Sequence, residues 1–583
     1  MCRRGLLMKT EPWLRLDQLT VKRGGKTVLE NVDLEIDHGE FVVILGANGS
    51  GKSTLLAALL GQVPIASGEI HVEGENLESM SVRERAHWFA WLPQESHSPE
   101  AILVEEVVAA ARYHLDEPRP VSLEKSREAL EESGAGDLAR RWWTELSGGE
   151  RQRVEIATLR AQSTPAWLLD EPVNHLDPLW RERLLVDLQE KAISGQTVIV
   201  VLHDMHLIKE ISKIQTRVIA LSEGKVILDS PDASALEDDA RDKIYGEAHS
   251  VKPALQTENV EGAPRKSWSF LQMFLWCVVT LCAGFASAWI GPTLEGELGD
   301  KIFSDLRVPR ALVGLSMGAV LAGAGAVLQI LLQNPLATPG TVGTTAGASL
   351  GVIIALLSGT VLQLGGFPLL PLAAFVGAMG VTALVATVAA RSRTRTEDVL
   401  LAGIALTLMT GAISSALRLG FDQVMALDAL RWSLGSLSLI SYDRWILAAP
   451  FFGISLVGML TLLRPLDVLA TGSERAASRG VNVPRIRTLG VGLSSLGVAA
   501  GVATCGPIAF VGLICPHVMR ILGGGQPRFL VPASMMFGAA FLPLCDGLGR
   551  IMLQNRDVPV GVITASLGAP VLFLLVLRRS RRV

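Results

Sequence analysis

Residues 46–54 read GANGSGKST, with glycines at 46, 49 and 51 ahead of a lysine and two hydroxyls. The spacing fits G-x-x-x-x-G-K-[ST] without a mismatch. Such a loop closes its backbone N–H groups around phosphates, and the helix behind it offers its N-terminus. Lys52 can add a point charge to the β- and γ-phosphates, and the Ser53 hydroxyl can ligate Mg²⁺. Gly46, Asn48, Gly49, Ser50, Gly51 and Thr54 complete the loop. Further along, AWLLDEP (166–172) ends an apolar run in two acids. Asp170 is suited to Mg²⁺ and Glu171 to polarising an attacking water. The two motifs together point to hydrolysis of a nucleoside triphosphate.

Such chemistry needs strands that end at the site. Phe41–Leu45 is an apolar strand leading into the glycine loop, and a helix is expected from Thr54 to Leu60. Trp167–Leu169 is a second strand, ending at Asp170, while Leu19–Val21 and Thr27–Leu29 are earlier ones. Strand, loop and helix in this order predict an α/β domain.

The remainder of the chain has a different character. The 583 residues are 49% hydrophobic and 19% charged, but beyond about residue 268 long apolar runs alternate with short charged loops. Ten spans are expected, near 269–290, 310–332, 342–360, 367–390, 399–419, 444–463, 488–505, 507–522, 529–545 and 559–577. Span 507–522 is short enough to be partial or re-entrant. Glycines at 314, 318, 323 and 325 recur in the second span and suit close helix packing. An even number of spans leaves both ends on one side. The basic loops at Arg391–Arg395, Arg464, Arg485–Arg487, Arg528 and 578–582 make that side cytoplasmic. Polar, acidic residues 231–267 read as a connector, with 251–267 as the linker proper between domains at 1–250 and 268–583. The start MCRRGLLMKTEPW lacks an apolar stretch of signal length, so the first domain is expected to stay in the cytoplasm. A net charge of −4 argues against a nucleic-acid partner. The cysteines Cys2, Cys277, Cys282, Cys505, Cys515 and Cys545 form no CxxC pair, so neither zinc nor a redox dithiol is indicated.

The ordered set Lys52, Gln94, Ser147-Gly148-Gly149 in LSGGERQR, Asp170-Glu171, Asp177 and His203 resembles the ABC-type ATPases over roughly residues 13–250. The resemblance implies ATP and Mg²⁺ as ligands. It also implies that Ser147, Gly148, Gly149 and Glu150 form a signature acting in trans on the γ-phosphate held by a second copy. Gln94 would sense Mg²⁺ and touch the membrane domain, Asp177 would be the inter-subunit aspartate, and His203 the switch histidine. Where the family usually stacks an aromatic residue on adenine, this chain has Arg23, whose guanidinium plane can also stack on a base.

Three strings, RVPRALVGLSMGAVLAGAGAVLQILLQNPLATPGTVG (307–343), GPIAFVGLICPHVMR (506–520) and DGLGR…PVGVITASLGAP (546–570), resemble the FecCD permeases. These belong to importers of iron–siderophores, haem and vitamin B12. The implied fold is an α/β ABC ATPase domain fused to an all-α polytopic membrane domain of about ten helices. The implied protein works as a homodimer in a bacterial cytoplasmic membrane, contacts lipid, and takes an iron chelate from an extracytoplasmic binding protein. Arg307, Arg310 and Arg550 match positions where the family docks that protein. Segment 470–483, ATGSERAASRGVNV, resembles the family's coupling helix, with Gly472, Glu474, Ala476 and Gly480 as its marks and Ala476–Gly480 seated near Gln94. The alternatives are an ATP-driven exporter and a nucleotide-gated membrane receptor or channel.

Overall fold

The computed structural model describes residues 12–94, 102–173, 178–202, 216–231, 270–290, 297–358, 363–364, 367–391, 396–438, 440–523, 525–553 and 557–580. Contacts divide the chain into two compact units. One holds residues 1–262 together with Thr471–Asn482, and the other holds 263–470 and 483–583.

The first unit is built on a six-stranded sheet. Its central strands β3 (Phe41–Leu45), β7 (Ala166–Asp170) and β8 (Thr197–Val201) are buried along their whole length. Near-continuous apolar runs of this kind mark parallel strands covered on both faces. The sheet order places β9 (Arg217–Ser222) beside β3, then β8, β7 and β6 (Phe89–Leu92), all parallel, with β10 (Lys225–Ser230) antiparallel at the edge. Successive side chains point to opposite faces, and the core divides accordingly. Val42, Ile44, Leu168 and Ile199 pack on one side with Leu55 and Leu59. Val43, Leu45, Trp167, Leu169 and Val200 pack on the other with Leu185 and Leu188. Strands β1 (Leu14–Arg23), β2 (Lys26–Ile36), β4 (Ile65–Val72) and β5 (Glu75–Asn76) form a separate antiparallel sheet. Both early strands thus run longer than their apolar triplets suggest.

The second unit is helical. Among the described residues, six helices are long and apolar enough to cross a membrane: Gly299–Leu331, Leu369–Ala389, Thr396–Arg418, Tyr442–Thr461, Val483–Cys505 and Pro527–Met552. Four shorter apolar helices, Val278–Trp289, Thr344–Leu357, Val511–Gly523 and Val560–Val571, fall on the remaining expected spans. The short span near 507–522 is a thirteen-residue helix containing Pro516. A further helix, Gln423–Ser433, capped by the Asp422 side chain on the Met425 N–H, has no counterpart in the sequence reading.

Small residues set how closely these helices approach. A Cβ on Gly318 would collide with the carbonyl of Gly538, and one on Gly325 with the carbonyl of Gly512. Backbones therefore touch at these crossings, as small-residue packing requires.

Candidate functional site

The carboxyl ends of β3, β8, β7 and β6 lie along one edge of the sheet. In open parallel sheets this edge is where ligands bind. Strand β3 runs into Gly46, β7 into Asp170 and Glu171, and β6 into Gln94, which is exposed. Helix α1 (Lys52–Leu59) starts two residues earlier than expected, directly after Gly51.

The glycine loop is shaped for an anion. Gly46, Gly49 and Gly51 all have positive φ, at 153°, 84° and 107°. A Cβ on Gly46 would strike the Leu221 carbonyl, so only glycine fits there. Lys52 is 5% exposed and donates from Nζ to the carbonyls of Gly46 and Ala47, both at 2.8 Å. Burial lowers its pKa below the ordinary lysine range, and the nearby carboxylates of Glu171 and Asp170 partly oppose that shift. Those carboxylates are therefore close enough to feel the ammonium. Ser50 Oγ is buried and has no hydrogen-bond partner among the described residues, a donor awaiting an acceptor. Asn48, Gly49 and Ser53 are exposed, whereas Thr54 is buried. The donor set thus fits a nucleotide phosphate chain. The Ser53 hydroxyl and the Asp170 carboxylate, joined by the Gln94 amide, are hard oxygen ligands of the type Mg²⁺ takes.

Glu171 departs from ordinary backbone geometry. Its φ is 54°, in the left-handed region, and its N–H donates to Val201 O at 3.1 Å. A non-glycine residue held there costs energy, and such positions cluster at functional sites. Arg23 is exposed at the end of β1, ahead of the turn at Gly24 and Gly25. Asp177 and His203 lie outside the described residues.

Ser147 caps helix α5 (Gly148–Gln162). Its N–H donates to Glu150 Oε2 at 2.8 Å, and the Glu150 N–H returns to Ser147 Oγ at 3.4 Å, a capping box. Burial works against ionising Glu150, but the Ser147 N–H and hydroxyl, with Arg141 at 2.7 Å, hold it below the usual carboxylate range. Ser147 and Gly148 are exposed, and a Cβ on Gly148 or Gly149 would meet no atom within 4 Å. Among the described residues, nothing in the packing asks for these two glycines.

Thr471–Asn482 belongs to the first unit, although helices of the second flank it in sequence. Its helix, Ser473–Ser478, follows Gly472 at φ 114° and packs on α2 (Val82–Trp88) and β6, the strand that leads to Gln94. Ala476 is fully buried, and Gly480, at φ 92°, fits against Arg83, His114 and Ala86. Glu474 points outward, and its backbone carbonyl accepts from Gln62 Nε2 at 3.4 Å. Two basic side chains are buried instead: Arg479 donates to Thr471 Oγ1 at 2.7 Å, and the segment's ion pair joins Arg475 to Glu155 on α5 at 2.6 Å. Sequence reading missed both members of that pair. Arg475 is the basic side chain among the small residues of SERAAS, but Glu155 sits mid-helix with no local mark.

Two of the three arginines expected to dock a partner are turned inward. Arg310 lies near the start of the helix Val308–Leu331 and binds both Asp546 oxygens, at 2.7–2.9 Å, together with Asp557 at 2.8 Å. Arg550 reaches Asp546 at 2.7 Å and the Ile290 carbonyl at 3.0 Å. Both are 8% exposed and Asp546 is 1% exposed. A guanidinium in an apolar surround needs a counter-charge, and Asp546 serves both. Arg307 is half-exposed at the head of the same helix.

Residues 271–578 match the FecCD transport family, and residues 29–174 match the ABC transporter family. The vitamin B12 import system permease protein of Vibrio cholerae is 35% identical over 323 residues, covering 54% of this chain and 94% of that protein. The Fe(3+) dicitrate transport system permease protein FecD of Escherichia coli is 37% identical over 279 residues, covering 48% of this chain and 85% of that protein. A solved inward-facing ABC transporter of metal-chelate type aligns at 28% identity with a TM-score of 0.48, covering 52% of this chain and 98% of that one.

Proposed function

Since the chain belongs to the FecCD transport family and carries an ABC-type ATPase ahead of the permease on one polypeptide, we propose that it is half of an ATP-driven importer of iron chelates. In this reading two copies assemble as a homodimer in a bacterial cytoplasmic membrane, with the ATPase and both termini inside. Cargo arrives from an extracytoplasmic binding protein that docks at Arg307, Arg310 and Arg550, with Arg307 the most exposed of the three. The relatives named for vitamin B12 and ferric dicitrate support a metal chelate as the cargo class. A ferric siderophore is the first choice, with haem and cobalamin next.

Within each copy the glycine loop from Gly46 to Thr54 holds the phosphates, with Lys52 opposing their charge. Arg23 stacks on the adenine. Mg²⁺, held by Ser53, Gln94 and Asp170, would neutralise charge that develops on the transferred phosphoryl group. Glu171 orients the attacking water, and His203 and Asp177 complete the site. Ser147, Gly148, Gly149 and Glu150 act on the nucleotide of the other copy. Because the signature works in trans, a closed symmetric dimer satisfies both sites at once.

The observation that supports this reading most is Thr471–Asn482, a stretch of the permease sequence whose contacts belong to the ATPase unit. A regulatory nucleotide domain needs no such insertion, while a pump needs a mechanical link.

The deciding experiment measures accumulation of radiolabelled ferric siderophores, haem and cobalamin in cells that also express the native binding protein. Glu171→Gln should retain ATP binding and lose hydrolysis and accumulation by about 100-fold or more. Wild-type accumulation in that variant, or efflux in place of uptake, would overturn the reading.

A further inference from the structure

The buried Arg475 touches two places that bracket the signature. Its Nη2 donates to Glu155 Oε1 at 2.6 Å, and its guanidinium carbon lies 5.7 Å from the centre of the Trp143 ring. Trp143 is fully buried just before Ser147. Glu155 is on α5 about two turns beyond Ser147. The side chains of Arg475 and Glu155 are 6% and 4% exposed.

A second contact joins the same two elements. Gln162, at the end of α5, donates from Nε2 to the Phe89 carbonyl at 2.9 Å and to the Ser478 carbonyl at 3.5 Å. The Thr471–Asn482 segment therefore holds α5 at its middle and at its end, while the start of α5 presents Ser147. A short capped helix moves as a rigid piece, so displacing Glu155 displaces the signature with it.

We infer that Arg475 is a positioning residue that ties the Thr471–Asn482 segment to the signature motif itself, by gripping Trp143 and Glu155 on either side of Ser147. This deepens the importer reading and rests on it for its purpose. It adds a route separate from the Gln94 edge: movement of the permease reaches the residues that close on the other copy's nucleotide. The chemistry suits the task. A buried ion pair stacked on an aromatic face cannot slip as an exposed pair can, since separating its partners strands a charge.

The test uses the full chain in lipid nanodiscs, with native cysteines replaced and spin labels at Leu419 and Met552 of the second unit, which are 89% and 65% exposed. Two quantities are read from one preparation: ATP hydrolysis, and the change in label distance on adding ATP, Mg²⁺ and vanadate. Arg475→Met should keep hydrolysis within about threefold of wild type while at least a fivefold smaller fraction of molecules shifts distance. Arg475→Lys, which keeps the charge but not the fork, should fall between. If the lone Arg475→Met change prevents folding, Arg475→Met with Glu155→Met removes both members of the pair, leaves the neighbouring buried Arg479 its hydrogen bond to Thr471 Oγ1 at 2.7 Å, and should lose the shift to the same degree. A full wild-type shift in either methionine variant overturns the inference. So does a loss of shift only in proportion to lost hydrolysis, which is what a merely structural role gives. The label readout needs nucleotide and no cargo. Failure of wild type to accumulate any chelate therefore counts against the importer reading alone.

Discussion

The two units use glycine for opposite ends. In the first unit Gly46 and Gly51 stand at positive φ in the loop between β3 and α1, where an added Cβ would strike the Leu221 carbonyl and the Leu29 side chain. Gly148 and Gly149 have no described atom within 4 Å of a built Cβ. In the helical unit Gly318 and Gly325 are ordinary helical residues, and what matters is the backbone of the next helix. Charge divides in a similar way. Asp170 and Glu171 stand together at the carboxyl end of β7, whereas Asp546 is sealed inside and answered by Arg310 and Arg550. A residue type therefore carries function in one unit and architecture in the other. Its surroundings decide which, so substitutions should separate the two.

The largest effect is expected where backbones touch. A valine at Gly325 would have to occupy the space of the Gly512 carbonyl, and neither helix backbone can give way. Gly325→Val should cost more than about 4 kcal/mol and leave no monodisperse protein on size-exclusion chromatography in detergent. Gly492, on the helix Val483–Cys505, has nothing within 4 Å of a built Cβ. Gly492→Ala should elute as wild type. Equal behaviour of the two variants would break the distinction between packing glycines and incidental ones.

The buried charge cluster comes next. Asp546→Asn keeps the shape but removes the negative charge that faces two guanidinium groups, leaving Arg310 with Asp557 and Arg550 with the Ile290 carbonyl. Loss of one member of a buried pair costs roughly 3–5 kcal/mol. The expected outcome is a clear drop in melting temperature of the solubilised protein, with ATP affinity of the nucleotide unit unchanged. An unchanged melting temperature would mean that the cluster is wet and that its arginines are available to a partner after all.

Both clusters also show what a sequence can carry. The glycine loop, the Asp170-Glu171 pair and the LSGGERQR string are each contiguous in sequence. They could be read directly. The apolar spans are legible because a bilayer imposes length on consecutive residues, and the short run near 507–522 corresponds to the short helix Val511–Gly523. The pair Arg310–Asp546 joins positions 236 apart, and Arg475–Glu155 joins positions 320 apart. No local pattern encodes such partners. Arg550 and Asp546, four residues apart on one helix, could be paired by spacing, but not the third member that holds them both. Orientation was the other hidden quantity. Glu474 and Arg475 are adjacent, and the helix alone decides that the acid faces out and the base faces in.

The smallest effect on the fold, and the sharpest on the comparison, is expected at Gly148. It is the first residue of α5, with ordinary φ, exposed, and with no atom near a built Cβ. Alanine suits a helix better than glycine, so Gly148→Ala should leave stability unchanged or raise it by about 0.5 kcal/mol. If the glycine serves only this chain, nothing else should change. If it serves the nucleotide bound by a second copy, the added methyl group falls where the two surfaces close. Hydrolysis by the assembled protein should then drop at least tenfold, while ATP binding to Lys52 and its loop in the same copy stays intact. A thermal melt, a nucleotide-binding isotherm and a hydrolysis rate on one preparation distinguish the cases. Retained hydrolysis would remove the reason for reading the signature as an inter-subunit element, and with it the need for two nucleotide units to close face to face.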